Sequence, residues 1–284
     1  MPTTTMTTSG SELGEFLRSR RDALTPEAAG IVSYGMRRVP GLRREELARL
    51  AGVSVAYYTR LEQGQSIGAS DSIIDALARA LQLRDDERTH LFELAKPRPA
   101  RRRRAPRPER ATPGGLQLLD AMTGIPAVLL GRRNDVLAWN RLGHALLAGH
   151  LPYDAPQDPA QRPNLTRMLF LDPHTRELHR EWNDEAALAV ASLRFVAAHY
   201  PDDRALAELI GELSVKSTEF AALWAKHTVR LCSSGIKHLH HPEVGDLDLD
   251  YEALHLPDAE GQRLLTHTAR RGSGSANALQ LLGN

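Results

Sequence analysis

Apolar residues recur at helical spacing through the first third of the chain, with polar residues between them. This spacing predicts five helices that pack around one core. They cover 12–24, two stretches within 44–63, a stretch beginning after Ser70, and 84–95. The pattern therefore predicts a compact all-α domain that ends near Ala95.

The segment 44–63, with the sequence REELARLAGVSVAYYTRLEQ, has the pattern of two helices joined by a tight corner. Gly52 stands where the first helix must end, because glycine adopts a left-handed backbone at little steric cost. Ser54 follows as an N-cap, and Tyr58 and Leu61 share the buried side of the second helix. This arrangement is typical of the helix-turn-helix that places a helix in the DNA major groove. A plain helical corner has the same local pattern and stays open as the alternative.

The pattern changes beyond residue 112, where short apolar runs accompany helical stretches. IPAVLL, GRRN and DVLAW, at 125–139, predict a strand, a turn and a second strand. Helices are predicted at 141–148, 183–199, 204–213 and 218–227, and later strands at 229–232, 236–240, 245–249 and 262–269. This order predicts an α+β domain with an antiparallel sheet covered on one face. The acidic run at 246–252 is interpreted as a solvated strand edge.

Charge is distributed unevenly along the 284 residues. Up to residue 112 there are 20 Lys and Arg against 14 Asp and Glu, whereas the remainder has 16 against 21. A basic first half indicates contact with a polyanion. The segment 96–112, KPRPARRRRAPRPERAT, predicts an extended basic linker that either adds phosphate contacts or acts as a solvated spacer.

Cysteine content and hydropathy indicate the compartment. Cys232 is the single cysteine, which excludes an internal disulfide framework and a thiolate zinc cluster within one chain. The N-terminal sequence MPTTTMTTSGSEL lacks the charged and apolar regions of a secretory signal. No apolar run reaches the ~18 residues of a membrane span. We therefore expect a soluble, cytoplasmic protein with no membrane partner.

Several sequence blocks resemble one known family along nearly the whole chain. Residues 12–95 resemble a lambda-repressor-like (XRE-type) helix-turn-helix domain, and PGLRREELARLAGVSVAYYTRLEQG at 40–64 is similar to the actinobacterial MmyB-like regulators. The blocks that follow in the family's order are PAVLLGRRNDVLAWN, NLTRMLFLD, LRFVAAHYPDD, ELSVKSTEFAALWAKHTVR and HPEVGDLDLDYEAL. The resemblance implies a sequence-specific transcriptional regulator whose second domain is PAS-like and binds a fatty-acid-like ligand.

The resemblance and the composition together divide the chain into five parts. They are a disordered N-terminus at 1–11, the helix-turn-helix DNA-binding domain at 12–95, the linker at 96–112, the MmyB-like domain at 113–272 and a C-terminal segment at 273–284. Domains with this motif usually bind pseudo-palindromic sites as symmetric dimers. We therefore expect a homodimer on a double-stranded DNA operator.

The repressor-like frame implies roles for residues on both helices of the motif. Arg44 opens the first helix, where it contacts a phosphate, with Arg43 beside it. Arg60 is the candidate for a bidentate contact to guanine, and a phosphate contact is its alternative. The other candidates at this surface are Ser54, Val55, Ala56, Tyr57 and Thr59. Because two of these are small apolar residues, we expect sparse base readout and a larger contribution from DNA shape.

Three further residues near the motif receive a role. The resemblance implies that Glu62 pairs with Arg21 in a structural ion pair, since a free carboxylate on a DNA-facing helix would repel phosphate. Arg37 and Arg38 lie in the connection before the motif. They either reach the DNA backbone or an adjacent minor groove, or they are simply solvated.

An acyl ligand in the second domain would need an apolar cavity, and its carboxylate would need a cation or several donors. Six aromatic residues are candidates for the walls, although each taken singly fits a core position better: Trp139, Phe170, Trp182, Phe195, Phe220 and Trp224. Arg167 and Arg194 are candidates for the carboxylate because they lie in otherwise apolar helical stretches, with a surface ion pair as the alternative. Asn140 and His241 are additional candidates.

Motifs for other chemistry are missing from the sequence. His238, His240 and His241 suggest a metal site, but only two of them would share a strand face, so we predict strand and turn histidines and no metal. The chain has no GxSxG, HExxH, P-loop or GxGxxG motif in its required context. We predict no catalytic residues and no required cofactor, apart from a bound fatty acid or similar acyl ligand. Two alternatives stay open: a DNA-binding protein whose second domain only dimerises, and an antitoxin-like autoregulator.

Overall fold

The structure, a computed structural model, divides into two compact units. It describes residues 9–31, 37, 39–65, 69–96, 109–231, 233–257, 259 and 261–283, with side chains from residue 12 onward. The first unit runs to Arg103 and takes in Ala198–Pro201 and Ala225–Arg230, and the second holds the remaining residues. Parts of three predictions lie outside the described residues, namely 1–8 of the N-terminal segment, 97–108 of the linker, and Arg38.

Helices α1 to α5 form the core of the first unit. They are α1 (Ser9–Ala23), α2 (Arg44–Leu50), α3 (Val55–Glu62), α4 (Asp71–Ala80) and α5 (Asp85–Ala95). Phe16, Tyr58 and Leu77 are fully buried between them. Helices α1 and α3 approach closely at Gly14, where a Cβ atom would lie 2.1 Å from the carbonyl oxygen of Glu62. A glycine is therefore required at this crossing.

The first helix begins earlier than the sequence predicts. Its predicted start at residue 12 is corrected to Ser9, so residues 9–11 are helical. Adding residues to a helix that is already nucleated costs little free energy compared with starting one. The buried face of Phe16 and Leu17 supplies that nucleus.

In the described part of the second unit, helices surround a five-stranded sheet. The helices are α6 (Pro113–Ala121), α7 (Arg141–Ala148), α8 (Leu165–Leu171), α9 (Pro173–Leu178), α10 (Trp182–His199), α11 (Arg204–Lys216), α12 (Thr218–Trp224) and α13 (Gly274–Leu282). The strands are β1 (Ala127–Leu130), β2 (Val136–Trp139), β3 (Ser234–His241), β4 (Gly245–His255) and β5 (Arg263–Thr268). The prediction of an antiparallel sheet with helices is confirmed.

The sheet has the order β2-β1-β5-β4-β3, and neighbouring strands are antiparallel. Strands β1 and β5, far apart in sequence, pair through residues such as Val128 and Leu265. The acidic run at 246–252 therefore lies in an inner strand, and the predicted strand edge is wrong. Its acidic side chains are exposed on one face of β4, whereas the alternating Leu247 and Tyr251 are buried on the other.

Helices cover both faces of the sheet at β1. One buried cluster joins α7, α9 and α13 to β3 and β4, with Leu178 and Leu239 among its members. On the opposite face, Leu119 of α6 packs with Leu264 of β5. All four residues of β1 are buried. The sequence predicts that helices cover only one face of the sheet. At this end of the sheet that prediction is wrong, because helices pack on both faces.

Other element bounds in the second unit also differ from the predicted ones. Residues 229–231 form no strand. Helix α11 extends to Lys216, and α12 ends at Trp224. Helices α6, α8, α9 and α13 are not among the predicted elements. Among the described residues, no helix has both the length and the apolar character needed to cross a membrane.

Candidate nucleic-acid interface and internal cavity

The corner between α2 and α3 has the geometry of a helix-turn-helix. Gly52 has a φ of 68°, in the left-handed region that suits glycine. The amide of Val53 donates to the carbonyl of Ala48 over 2.9 Å. The hydroxyl of Ser54 accepts a hydrogen bond from the amide of Tyr57 over 3.1 Å and caps α3. These bonds fix the direction in which α3 leaves the corner.

The outer face of α3 is open to solvent. It is formed by the exposed residues Ser54, Val55, Ala56 and Arg60, with the half-buried Tyr57 and Thr59 among them. Val55, at the start of the helix, is 46% exposed. Tyr58 and Leu61 lie on the other side of the helix and are fully buried. The set predicted for DNA contact is therefore accessible on one helix face.

A carboxylate ties this helix to its neighbours. Glu62 Oε1 lies 3.1 Å from Nη2 of Arg21, and Glu62 Oε2 accepts a second hydrogen bond from Arg21 Nε at 3.2 Å. Arg44 also donates to Glu62 Oε1, at 2.9 and 3.2 Å. Burial alone would raise the pKa of Glu62, but the hydrogen bonds from both arginines outweigh it and lower the pKa. The structure thus contains the ion pair that the resemblance implies, with Arg44 as an additional partner.

Arg37 is held inside the first unit, away from the solvated position that the sequence leaves open. Both of its terminal nitrogens lie 2.8 Å from oxygens of Glu46, and Nη2 also donates to the carbonyl of Gly41 at 2.9 Å. This hydrogen bonding lowers the pKa of Glu46 to about 2. Arg37 is therefore paired with a buried carboxylate and is not simply solvated, whereas its contact with DNA stays a prediction.

Arginines line a surface groove beside α3. Arg43 and Arg44 stand at the start of α2, and about half of each side chain is exposed. The groove that they line also contains Arg18 of α1 and Val55 of α3. Arg18 was not predicted as a contact, because it belongs to a helix whose position beside the motif only the tertiary structure defines.

The second unit holds a cavity between the sheet and helices α8 to α10. Its volume is 140 Å³. Apolar side chains such as Leu130, Leu169 and Leu188 form much of its wall. Strands β3 to β5 contribute alternate residues, because residues two apart on a strand share a face. These are Lys237, Leu239, Tyr251, Ala253, Arg263, Leu265 and His267.

Two basic groups at β3 mark one part of the cavity wall. Lys237 donates to Glu185 over 2.5 Å, and its Nζ lies 4.3 Å from the centroid of the Tyr251 ring. His179 also lines the cavity, next to β3 through a bridge to Leu239, and burial lowers its pKa. Lys237 therefore already has a carboxylate partner within the wall.

Two further basic groups line the cavity from β5. Arg263 donates to the carbonyl of Gly131 and to Oδ1 of Asn134, both of which are neutral acceptors. Burial lowers the pKa of Arg263 to about 10, so it remains a cation at neutral pH. Burial also lowers the pKa of His267 to about 3 and keeps this ring neutral. Within the described residues, Nδ1 of His267 is buried with no hydrogen-bond partner.

Comparison with known families identifies both units. A family profile described as the MmyB-like transcription regulator ligand binding domain matches residues 111–282, more than half of the chain. The chain belongs to the MmyB-like transcription regulators. A profile described as a helix-turn-helix domain matches residues 12–91 of this MmyB-like regulator, so the resemblance stated from the sequence blocks is confirmed. A comparison with curated proteins gave no significant match.

The aromatic residues predicted for the ligand pocket of the MmyB-like domain lie elsewhere. None of the ten predicted pocket residues is among the described residues that line the cavity. Phe170 packs edge-on against Trp182 and Phe220, with ring centroids 5.7 and 5.1 Å apart, and Phe220 stacks on Trp224. Trp139 is buried in a cluster with residues of β1. The large rings fill the core because they bury the most apolar area.

The arginines predicted to hold a carboxylate have other partners. Arg167 lies 2.9 Å from Glu212, with 41% of its side chain exposed, so the surface ion pair left open by the sequence is correct. The guanidinium of Arg194 lies 3.9 Å above the Trp224 ring and donates to the carbonyl of that residue. Phe195, on the same helix as Arg194, is half-buried outside the cavity wall.

The two remaining pocket candidates serve the backbone. Asn140 caps α7 by accepting a hydrogen bond from the amide of Gly143 at 2.7 Å. A ring nitrogen of His241 lies 3.0 Å from the carbonyl oxygen of Ala145. Their polar groups are therefore used in holding α7 against the sheet.

The basic residues of the cavity wall are not among those predicted from the sequence. Arg263 and His267 lie four residues apart in a predicted strand, which places them on one face. That spacing is a usable signal. The sequence alone does not show which face of this strand packs against the helices.

Proposed function

We propose that this MmyB-like regulator reads DNA with the outer face of α3 and responds to a small anionic ligand bound in the cavity of the second unit. The exposed outer face of α3 is the observation that carries the proposal. The two domains of the protein are those of a DNA-binding transcriptional regulator. The residue roles, the ligand class and the homodimer are the proposed parts.

Base recognition is assigned to α3. Arg60 is exposed and has the donor geometry for the O6 and N7 atoms of guanine. Val55 and Ala56 present methyl groups at the start of the helix, where thymine methyls are the complementary surface. With only one strong donor on this face, sequence-dependent DNA shape contributes the rest of the specificity.

Phosphate contacts are assigned to the arginines beside α3. Arg18, Arg43 and Arg44 line one groove and keep exposed side chains. The Arg44 guanidinium is oriented by Glu62, which reduces the conformational entropy lost on binding a phosphate. Each phosphate neutralised in this way contributes to salt-dependent affinity.

The cavity supports a ligand with an apolar body and an anionic head. Leucines are the commonest residues of its wall, and Lys237, Arg263 and the neutral His267 supply donors. Arg263 is a partly buried cation whose hydrogen-bond acceptors are neutral. Such a cation favours binding of an anion, because the negative charge replaces the hydration that the cation loses on burial. The volume of 140 Å³ is below the ~300–1,000 Å³ typical of drug-sized ligands. We therefore assign a short acyl carboxylate, within the fatty-acid-like class that the resemblance implies.

We also propose that the protein acts as a homodimer on a pseudo-palindromic operator, as helix-turn-helix regulators usually do. The antiparallel sheet with its helix-covered cavity supports a PAS-like second domain, a fold type suited to both ligand binding and dimerisation. Sedimentation of the free protein and of its DNA complex tests the dimer.

The central test is operator binding with and without a ligand. Operators are first selected from random duplexes with the tag-free full chain, and affinity is then titrated with decanoate as the probe. A shift in DNA affinity supports ligand sensing, because a ligand acts only when it binds two states unequally. Decanoate binding that leaves DNA affinity unchanged would overturn the proposed ligand response, and no decanoate binding would instead favour a second domain that only dimerises.

A pair of matched variants on α10 tests whether the ligand occupies the cavity. Ala189 lines the cavity and Ala187 does not. We expect Ala189→Phe to fill the space and to lower decanoate affinity about tenfold or more, whereas Ala187→Phe leaves it unchanged. Native mass spectrometry before and after solvent extraction shows whether a copurified acyl ligand is lost in the first variant alone.

A further inference from the structure

A separate polar cluster in the MmyB-like domain joins the end of α7 to the start of α9. His150 follows α7, Asp172 is the N-cap of α9, and His174 lies in the first turn of α9. One nitrogen of each histidine and one carboxylate oxygen lie within 4.8 Å of one another. None of the three residues belongs to the cavity wall or to the arginine groove beside α3.

We propose that His150, Asp172 and His174 form a binding site for Zn²⁺. Two imidazoles and one carboxylate are a ligand set that zinc uses, and a water molecule completes the tetrahedron. Imidazole ligands disfavour Mg²⁺ and Ca²⁺, which prefer oxygen. All three donor groups already lie within 4.8 Å of one another, so small side-chain rotations would bring them around one ion.

The carboxylate of the cluster is already held in place. Asp172 Oδ1 accepts a hydrogen bond from the amide of His174, and Oδ2 accepts one from the hydroxyl of Thr175, both at 3.0 Å. Each oxygen has a second lone pair, so both bonds are compatible with a metal ligand. Such fixed outer contacts orient metal ligands in proteins.

The two imidazoles lie on the same side of the cluster. His150 Nε2 is 2.7 Å from Asp172 Oδ2, and His174 Nδ1 is 3.4 Å from Oδ1. The rings are stacked, with centroids 4.5 Å apart and planes inclined by 9°. The side chain of His174 is 69% exposed, so its ring can rotate toward an ion without disturbing the core.

The histidines of β3 provide a natural comparison. His238 pairs with Asp248 at 2.7 Å, and His240 pairs with Asp246 at 2.6 Å. Arg180 contacts both of these carboxylates, at 3.4 and 3.2 Å respectively. A guanidinium at that place repels a metal ion and neutralises its ligands. Histidine and carboxylate are present in both clusters, but within the described part of the chain only the one at α7 and α9 lacks this competing cation.

The position of the site links it to the cavity. Leu147 near the end of α7 and Thr175 and Leu178 of α9 line the cavity wall. Zinc would therefore join two elements whose separation shapes the cavity. This placement gives the ion a structural role in the ligand-binding domain, and it does not depend on the proposed ligand.

The test is a zinc titration of the full chain, with its purification tag removed and metals stripped with a chelator. We expect one Zn²⁺ per chain by isothermal titration calorimetry. His150→Gln and His174→Gln should each lower the affinity about tenfold or more, and the double variant should lose stoichiometric binding. The control is the double variant His238→Gln and His240→Gln, which should bind zinc as the unchanged protein does.

Circular dichroism of each variant checks that the fold is retained, and the exposure of His174 makes its variant the safest one to interpret. A tetrahedral visible spectrum on Co²⁺ binding, absent from the His150 and His174 variants, would support the assigned ligands. The proposal is overturned if the unchanged chain binds no zinc, or if the His150 and His174 double variant keeps stoichiometric binding.

Discussion

The guanidinium of Arg44 lies 2.9 Å from Oε1 of Glu62, and the same oxygen lies 3.1 Å from Arg21. One carboxylate thus connects α1, α2 and the recognition helix α3. The two arginines differ in exposure, because the side chain of Arg21 is 8% exposed and that of Arg44 is 45% exposed. Arg21 therefore acts in folding, whereas Arg44 is available to DNA.

Removing this carboxylate should destabilise the first unit. Glu62→Ala removes the buried carboxylate partner of Arg21 and leaves it with Asp22, which is half exposed. We expect a cost of about 2–4 kcal/mol, below that of a fully unpaired buried charge, whereas Arg44→Ala at the surface should cost less than about 1 kcal/mol. All three tryptophans lie in the second unit. Urea unfolding followed by circular dichroism should therefore show the loss, while tryptophan fluorescence should not. An equal shift in both signals would contradict this assignment.

Two arginine variants should separate base contacts from phosphate contacts. Arg60→Ala should cost ~1–3 kcal/mol at one operator position and relax specificity there. Arg44→Ala should weaken binding to all sequences alike and reduce the slope of log affinity against log salt by about 1. Fluorescence anisotropy on single-base operator variants at several salt concentrations measures both effects. If both substitutions leave the operator affinity unchanged, the roles assigned to these two arginines are wrong.

The pair formed by Arg37 and Glu46 should give the first unit an acid-sensitive stability. Hydrogen bonds from Arg37 lower the pKa of Glu46 to about 2, from an ordinary value of 4.5. A carboxylate whose pKa is lower in the folded state stabilises the fold above its unfolded pKa. That contribution is lost as the pH falls from about 4.5 toward about 2.

The matched variant for this effect is Glu46→Gln. We expect this variant to be less stable than the unchanged protein near neutral pH. The gap between their free energies of unfolding should narrow below about pH 4.5. Urea unfolding by circular dichroism at a series of pH values measures the gap. A gap that stays constant down to about pH 3 would show that the carboxylate charge does not stabilise the fold.

Arg263 and Arg167 should differ in their effect on the ligand. Arg263→Gln removes a cation from the cavity wall, and a lost charge-assisted hydrogen bond of ~1.5–3 kcal/mol corresponds to roughly 10- to 150-fold weaker decanoate binding. Arg167→Gln breaks a surface pair with Glu212 and should leave decanoate affinity unchanged. Calorimetric titration of both variants decides between them. Weaker decanoate binding in the Arg167 variant alone would instead support Arg167 as the residue that binds the carboxylate, as the sequence first suggested.

Local sequence patterns were sufficient to predict the helix-turn-helix. The Gly52 corner and the Ser54 cap depend on contacts between residues only a few positions apart. Tyr58 is buried against other helices, but its helical spacing with Leu61 already marks the buried side of α3. Such contacts follow from backbone preferences and helical spacing, both of which the sequence contains directly. The exposed face of α3 followed from the same spacing.

The cavity could not be located in this way. Its lining combines strands β1 and β3 to β5 with helices α7 to α10, and the pairing of β1 with β5 brings together residues more than a hundred positions apart. The aromatic residues suggested by the sequence lie outside this cavity, because large rings such as Phe220 stabilise a core by filling it. A cavity remains where smaller and polar side chains meet.

The family, the helix-turn-helix and the antiparallel character of the second domain could all be predicted before any coordinates, since each follows from short-range patterns or ordered blocks. Tertiary structure alone decided which charges meet: Arg37 with Glu46, Arg167 with Glu212, and Arg263 with neutral acceptors at the cavity. The physical reason is that an ion pair depends on side-chain positions in space, and strand pairing and helix packing set those positions over long sequence separations.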